Sequence, residues 1–218
     1  MGIERRFSTR RVSLENRADG KPVLTGYAAV FYRADDPGTQ YTLYTDVVER
    51  IMPTAFDAAL RERDDVRGLF NHDSNLVLGR SEAGTLRLFV DSVGLKYEID
   101  PPDNPTGKNV GESVRRADVT GSSFGFFVYS GKRGKVVWVE EKLADGRMIS
   151  VREIHDCELL DVGPVTFPAY GSTSAGMRAA GDERDVLRER DAWRAARSMP
   201  SEVEMEMLIR GAEVLGRS

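Results

Sequence analysis

Two adjacent serines and two histidines give this chain the residue types for nucleophilic catalysis. Ser122 and Ser123 lie near the start of an aromatic and β-branched run, which predicts a β-strand over residues 119–129. A strand holds its side chains stiffly, and a nucleophile needs that stiffness because a displacement of about 1 Å can cost about 100-fold in rate. Ser123 is therefore the candidate nucleophile. The alternative is that both hydroxyls only bond backbone groups where the strand begins.

A serine nucleophile near neutral pH needs a general base, and His72 and His155 are the two histidines of the chain. His72 follows the apolar residues 66–70, which predict a strand, and lies between Asn71 and Asp73. A histidine at the end of a strand can project into a groove and act as a base near pH 7. A solvated histidine in a turn would show the same pattern.

The residues from 148 to 162 predict one long strand that carries four acidic side chains. Strict alternation places Asp156 on one face with several apolar residues and His155 on the other. If the apolar face points inward, Asp156 is a half-buried carboxylate, and such a group needs a partner such as an imidazolium. A β-bulge within the strand would reverse this assignment.

Composition restricts the other kinds of site. The single cysteine, Cys157, excludes an internal disulfide, and with two histidines a metal site built from thiolates or imidazoles is not expected. We expect no cofactor. A net charge of −4, with basic residues scattered along the chain, argues against nucleic acid as the main partner. No apolar run reaches the ~18 residues of a membrane span. We therefore expect a cytoplasmic protein that works on other proteins.

The 218 residues predict one main domain with an appendage. Residues 1–170 carry many strand patterns and two short helical ones, typical of a mainly β fold with flanking helices (α+β); Val110 and Val114 recur at helical spacing just before the Ser123 strand. Residues 171–181 are small and polar and predict a flexible linker. Residues 182–218 predict a helical C-terminal tail, either packed on the core or acting as a detachable interaction arm.

Four motifs, in one order and at plausible spacing, carry a family resemblance. They are Gly-Tyr-Ala-Ala-Val-Phe at 26–31, Asn-His-Asp at 71–73 with Leu-Gly-Arg at 78–80, Gly-Ser-Ser-Phe-Gly-Phe at 121–126, and Leu-Leu-Asp-Val-Gly-Pro-Val-Thr-Phe-Pro-Ala-Tyr at 159–170. Each is weak alone, but four together are specific. With them the chain resembles, over roughly residues 5 to 175, the tailed-phage (caudovirus) prohead maturation serine proteases. That family is similar to the herpesvirus capsid-maturation protease, assemblin.

The resemblance implies a serine protease built on a mostly antiparallel β-barrel of the assemblin type, surrounded by helices. Ser123 matches the nucleophile of the family and His72 matches its histidine. The third member is matched by counting back from the Val-Gly at 162–163, which leads to Asp156. Three residues remain open as alternatives for that role: Glu153, His155 and Glu158. Assemblin carries arginines after its Val-Gly where this chain has Pro164-Val165, so the resemblance supplies no oxyanion donors.

The resemblance also implies a substrate and a place of action. The substrate would be the scaffold protein, or the scaffold-like segment of the major capsid protein, inside a prohead assembling in the host cytoplasm during bacteriophage capsid maturation. Self-cleavage in the linker or tail and a homodimer are further expectations. One rival is a catalytically silent capsid assembly module with the same fold. Another uses Cys157 as the nucleophile with His72, although a thiol among apolar residues in mid-strand is usually inert.

Overall fold

The structure, a computed structural model, describes residues 2–8, 10–128, 134–167 and 182–198. Its strands are β1 (Glu4–Ser8), β2 (Ser13–Asn16), β3 (Pro22–Val30), β4 (Gln40–Tyr44), β5 (Val47–Ile51), β6 (Arg67–Leu69), β7 (Val77–Arg80), β8 (Leu86–Val90), β9 (Gly94–Ile99), β10 (Gly121–Phe127), β11 (Lys135–Lys142), β12 (Met148–Asp156) and β13 (Glu158–Val165). Its α-helices are α1 (Asp57–Arg61), α2 (Pro105–Arg115) and α3 (Asp182–Ser198). A 3-10 turn, Pro37–Thr39, precedes β4. The predicted mainly β fold with a few helices is confirmed.

The strands form three sheets. The first has the order β1-β10-β13-β6-β7, the second β11-β12-β5-β4 and the third β2-β3-β9-β8. Two neighbouring pairs are parallel, β12 with β5 and β13 with β6, so the first two sheets are mixed. The third sheet is antiparallel throughout. The predicted closed barrel is not found among the described residues, whose strands lie in these three separate sheets.

Alternation along β10 decides which of its side chains enter the core. Phe124 and Phe126 are fully buried, and their rings stack with centroids 4.9 Å apart. Phe124 also meets Phe56 edge to face at 5.5 Å. Each buried phenylalanine contributes about 1.5–3 kcal/mol of stability, which fixes the facing of the strand. Ser123 and Gly125, one residue out of step, therefore lie on the opposite face.

The helix α2 delivers the chain to β10, as its spacing predicts. It begins after Asn104, whose side-chain oxygen accepts a hydrogen bond of 3.0 Å from the Gly107 N–H, and Pro105 follows the cap. Val110 and Val114 on its apolar stripe are buried in the main core. The apolar face of α2 thus anchors the approach to the strand that carries Ser123.

The strand predicted from residue 148 to 162 is two strands in different sheets, so that prediction was wrong. β12 pairs with β11 and β5, whereas β13 pairs with β10 and β6. The chain changes sheet at Cys157, which is fully buried and donates its N–H to the carbonyl of Ala55 at 3.2 Å. Because the backbone turns here from one sheet into another, alternation on one strand does not carry over to the next.

A β-bulge within β13 reverses the facing of its side chains a second time. Asp161 pairs with Gly125 of β10 and Leu159 pairs with Phe126, so Leu160 is an extra residue without a partner on β10. Leu159 therefore enters the core with Phe126, whereas Asp161 lies on the face of Gly125. This one extra residue brings a carboxylate to the face that carries Ser123.

The described part of the predicted tail, α3, packs on the second sheet. Trp193 stacks on Trp138 of β11 with ring centroids 6.0 Å apart, and Val186 is buried beside them. The Trp138 ring N–H donates a hydrogen bond of 2.9 Å to Glu189. The predicted linker at 171–181 and the tail beyond residue 198 lie outside the described residues. Within the described part of the chain, no helix is long and apolar enough to cross a membrane.

A buried ionic cluster joins α3 to the first two sheets. Its members are Glu4, Arg6, Glu49, Arg152 and Glu189. The side chain of Arg152 is only 2% exposed and pairs with all three glutamates at 2.7 to 2.9 Å. Burial alone would raise the pKa of Glu49, but the two arginines outweigh burial and lower it. The carboxylate therefore stays ionised inside the protein.

Candidate active site

Ser123 lies on an inner strand of the first sheet. It lies on β10 between Phe7 of β1 and Gly163 of β13, its direct partners in the register. Its neighbour Ser122 is on the core face, where its hydroxyl bonds the hydroxyl of Tyr97 at 2.8 Å. Burial raises the pKa of Tyr97, so that phenol stays protonated. The two adjacent serines thus have different environments, and only Ser123 faces the side from which a histidine approaches.

His72 reaches this face from the turn that follows β6. Asn71 and His72 have φ values of 55° and 59°, in the left-handed region that non-glycine residues seldom adopt. Such conformations cost of order 1–3 kcal/mol each and persist where the surroundings hold them. Here the Asn71 amide donates to the Thr166 hydroxyl at 3.0 Å and accepts from the Thr166 N–H at 2.8 Å, while the Asn71 N–H donates to the Pro164 carbonyl at 3.1 Å. The turn is thereby fastened to the end of β13.

Three side chains form a continuous hydrogen-bonded chain. Nε2 of His72 lies 2.6 Å from Oγ of Ser123, and Nδ1 of His72 lies 2.5 Å from Oδ1 of Asp161. A carboxylate only accepts hydrogen bonds, so Nδ1 carries the proton it donates to Asp161 and Nε2 of the neutral ring is left as an acceptor. His72 and Asp161 have side chains only 10% exposed, which strengthens the interaction between them.

The Ser123 hydroxyl has two acceptors within reach and one proton. Besides Nε2 of His72, the backbone carbonyl of Arg6 lies 2.9 Å from the hydroxyl oxygen. Ser123 is fully buried, with Phe7 directly opposite and the Phe7 ring edge-on to the His72 ring at 6.4 Å between centroids. Another molecule therefore reaches the Ser123 hydroxyl only after neighbouring side chains move.

Two glycines leave room for this arrangement. A methyl group on Gly125 would stand 2.5 Å from Oδ2 of Asp161, so glycine alone lets that carboxylate lie over β10. A methyl group on Gly163 would overlap the Leu69 carbonyl, where β13 and β6 approach closely. Both positions belong to motifs noted in the sequence, and both have a steric reason to be glycine.

A sequence profile of the caudovirus prohead serine proteases matches residues 8–184. The chain belongs to this family. The matched range contains His72, Ser123 and Asp161. Searches of curated protein sequences and of solved structures gave no match. Membership of the prohead protease family implies a serine protease that acts in phage capsid maturation, inside the prohead that assembles in the host cell.

Two of the three predicted site residues contact each other in the structure, and a different residue takes the position predicted for the third. Ser123 and His72 are hydrogen-bonded, but the carboxylate on His72 belongs to Asp161 and not to Asp156. Asp156 ends β12 in the second sheet, opposite Lys135. The expectation that Asp156 orients His72 is therefore corrected to Asp161. The cause is the change of sheet at Cys157 together with the bulge at Leu160, which invalidate a parity count made along one strand.

The alternatives for the third role also lie elsewhere. His155 and Glu153 contact each other at 3.1 Å on β12, and Glu158 pairs in register with Phe127. Cys157 is buried in the main core with its sulfur 3.5 Å from the Ala55 carbonyl. Asp161 was missed although it precedes the Val-Gly of the fourth motif by one residue. In the structure it lies two residues before Gly163, the partner of Ser123, a relationship that strand pairing sets and that no local sequence signal reveals.

The described residues contain no group of three or more His, Cys, Asp or Glu side chains arranged to hold a metal ion. The polar groups that meet at the candidate site are a hydroxyl, an imidazole and one carboxylate. Such a set moves a proton from the hydroxyl to the imidazole and stabilises the resulting imidazolium. It is suited to nucleophilic attack on an acyl group.

Proposed function

We propose that this prohead protease is a serine endopeptidase in which Ser123 is the nucleophile, His72 the general base and Asp161 the residue that orients His72. The observation that carries the proposal is the unbroken hydrogen-bonded chain from Ser123 through His72 to Asp161, at 2.6 and 2.5 Å. In the sequence, His72 is 51 residues from Ser123 and 89 residues from Asp161. Ser123 lies on a strand, His72 in a turn and Asp161 on a bulged strand. Family membership supports the same chemistry.

In the first half of the reaction, the Ser123 oxygen forms a bond to the scissile carbonyl carbon. His72 takes the hydroxyl proton on Nε2, and the carbonyl π electrons move to the oxygen. When the intermediate collapses, the C–N bond breaks and His72 gives its proton to the leaving amine. Water then attacks the acyl-enzyme in the same way and releases the acid. Acid–base catalysis of this kind contributes typically about 10²–10⁴-fold, and Asp161 holds the ring in the tautomer required.

The substrate proposed is protein inside the prohead: the scaffold protein, or the scaffold-like segment of the major capsid protein. Membership of the prohead protease family supports a substrate among the capsid or scaffold proteins. The covered Ser123 hydroxyl suits an enzyme that must not cut before assembly, because a substrate has to displace its neighbours to reach it.

Self-cleavage is part of the same proposal. The proposal divides the chain into a protease domain at 1–170, a linker at 171–181 and a tail at 182–218. Self-cleavage would cut the linker or the tail. The small polar composition of the linker suits an extended substrate strand. The homodimer implied by the resemblance to assemblin also belongs to the proposal, and sedimentation of the purified chain tests it.

The decisive experiment co-expresses the chain with the major capsid and scaffold proteins of its own phage and weighs the products by mass spectrometry. We expect the wild type to produce defined cleavage products and Ser123→Ala to produce none. Ser122→Ala is the matched control, because Ser122 faces the core and bonds Tyr97. It should lose about 1–3 kcal/mol of stability, because the buried Tyr97 hydroxyl loses its hydrogen bond, and keep its products. Cleavage by Ser123→Ala would support the catalytically silent assembly module instead.

A further inference from the structure

Arg5 shares the sheet face that carries Ser123. On β1 it lies directly opposite Gly125 of β10, and Phe7, two residues further on, lies opposite Ser123. Side chains two apart on a strand, and those directly opposite one another, point to the same face. The edge-on contact of the Phe7 ring with the His72 ring establishes that this is the face of the candidate site.

The guanidinium of Arg5 has no anionic partner among the described residues. Its Nε is buried and makes no hydrogen bond there. The next residue, Arg6, points to the other face and is held by Glu4 and Glu49. A buried N–H that makes no hydrogen bond costs free energy, and this cost is recovered when the oxygen of a bound substrate accepts from the Arg5 Nε–H.

Arg5 is also within reach of the reacting group. Diagonal neighbours on paired antiparallel strands have side chains about 7–8 Å apart at their bases, and the methylene stem and guanidinium of arginine span about that distance. Arg5 is diagonal to Ser123 in the register. His72 and Asp161 approach Ser123 from the β13 side, whereas Arg5 approaches from the β1 side. A carbonyl group on Ser123 would thus have its base on one side and a cation on the other.

We propose that Arg5 donates hydrogen bonds to the carbonyl oxygen of the scissile peptide and stabilises the oxyanion that forms when Ser123 attacks. The proposal rests on the serine protease function proposed above. Five N–H donors in a planar fork suit an oxygen that gains negative charge. Donors aimed at such an oxygen before reaction typically contribute about 100- to 1000-fold each in rate.

The test compares the wild type with Arg5→Met, Arg5→Lys and Arg5→Ala, and with Arg11→Met as a control at an exposed arginine. Two rates are measured: cleavage of the co-purified capsid protein, and phosphorylation of Ser123 by diisopropyl fluorophosphate, whose phosphoryl oxygen takes the place of the oxyanion. We expect Arg5→Met to slow both rates by about 100- to 1000-fold. Arg5→Lys should fall between Arg5→Met and the wild type, and guanidinium ion at low millimolar concentration should partly restore Arg5→Ala. The pH of half-maximal rate should stay at its wild-type value.

Rates for Arg5→Met within about threefold of the wild type, in a folded protein, would overturn the inference alone. Arg5→Met could also reach the maximal rate of the wild type but with a shifted pH of half-maximal rate. That result would overturn the inference too, because Arg5 would then act through the His72–Asp161 pair. If Arg5→Met does not fold, Arg5→Lys and the response of Arg5→Ala to guanidinium decide. A wild type that neither cleaves nor is labelled at Ser123 contradicts the proposed function itself, and the inference with it.

Discussion

Gly125 lies directly opposite Asp161 on the neighbouring strand, and a methyl group on Gly125 would stand 2.5 Å from Oδ2 of Asp161. The carboxylate therefore occupies the space that any larger residue at 125 would fill. Because Asp161 is hydrogen-bonded to Nδ1 of His72, the space left by Gly125 allows this contact although the glycine itself does not touch the imidazole.

Gly125→Ala should inactivate the enzyme without unfolding it. The added methyl group displaces the Asp161 carboxylate, and a displacement of about 1 Å in a catalytic group can cost about 100-fold in rate. Two quantities are measured: the single-turnover rate of capsid protein cleavage, and the denaturant concentration at the midpoint of unfolding. Gly111→Ala is the control, since a methyl group there meets Leu14 no closer than 3.5 Å and lies within α2. The control should keep its activity, and equal activity in both variants would contradict the role assigned to Gly125.

Asn71 should contribute to stability and to the reaction rate through both its backbone conformation and its side chain. Two variants separate the two contributions. Asn71→Ala loses the bonds to Thr166 and strains a φ of 55°, so we expect a loss of about 1–3 kcal/mol and a slower reaction. Asn71→Gly accepts the φ and loses only the side-chain bonds, so it should recover part of the stability. Unfolding free energies and cleavage rates of both variants check this. Equal losses in the two variants would show that backbone strain is not the cause.

The ionic cluster predicts a pH dependence of stability through Glu49. Its pKa is lower in the folded protein, because Arg6 and Arg152 outweigh the opposing effect of burial. Its contribution is therefore complete above the unfolded glutamate pKa of about 4.3 and is lost as the pH falls through the lower folded value. Glu49→Gln should cost about 3–5 kcal/mol at pH 7, because it leaves two buried arginines short of a carboxylate.

The measurement for Glu49 is a series of chemical unfolding curves from pH 7 down to pH 3. The difference between the wild type and Glu49→Gln should shrink as the pH falls. Glu15→Gln, at an exposed position, is the control and should follow the wild type throughout. A difference that stays constant over the whole range would mean that Glu49 does not change its protonation on unfolding.

The sequence singled out Ser123 and His72, whose side chains meet at 2.6 Å in the structure, because the position of each depends on local pattern. The Phe residues at 124 and 126 fix the facing of β10, and the residues after β6 carry the only histidine in a turn next to an apolar strand. Both features lie within a few residues of the group they position. The mainly β class also followed, since alternation and turn residues are local signals.

Asp161 could not be found in this way because its facing depends on tertiary structure. Whether residue 157 continues a strand or turns into another sheet is decided by which strands are available to pair, β11 and β5 for one half and β10 and β6 for the other. The bulge at Leu160 is set by the register against β10 and leaves no mark in the alternation of the sequence. The arrangement of strands in two mixed sheets and one antiparallel sheet depends on the same long-range pairing.

The central claim, that Ser123, His72 and Asp161 act together, is tested most directly by two matched carboxylate variants. Asp161→Asn and Asp156→Asn each remove one charge with almost no change in shape, and only the first touches His72. The measurement is the single-turnover cleavage rate of the capsid protein, with mass-spectrometric detection of fluorophosphate labelling at Ser123. We predict a fall of about 10⁴-fold for Asp161→Asn, since the ring then favours the wrong tautomer, and a rate near the wild type for Asp156→Asn. Full activity in Asp161→Asn together with its loss in Asp156→Asn would contradict the account.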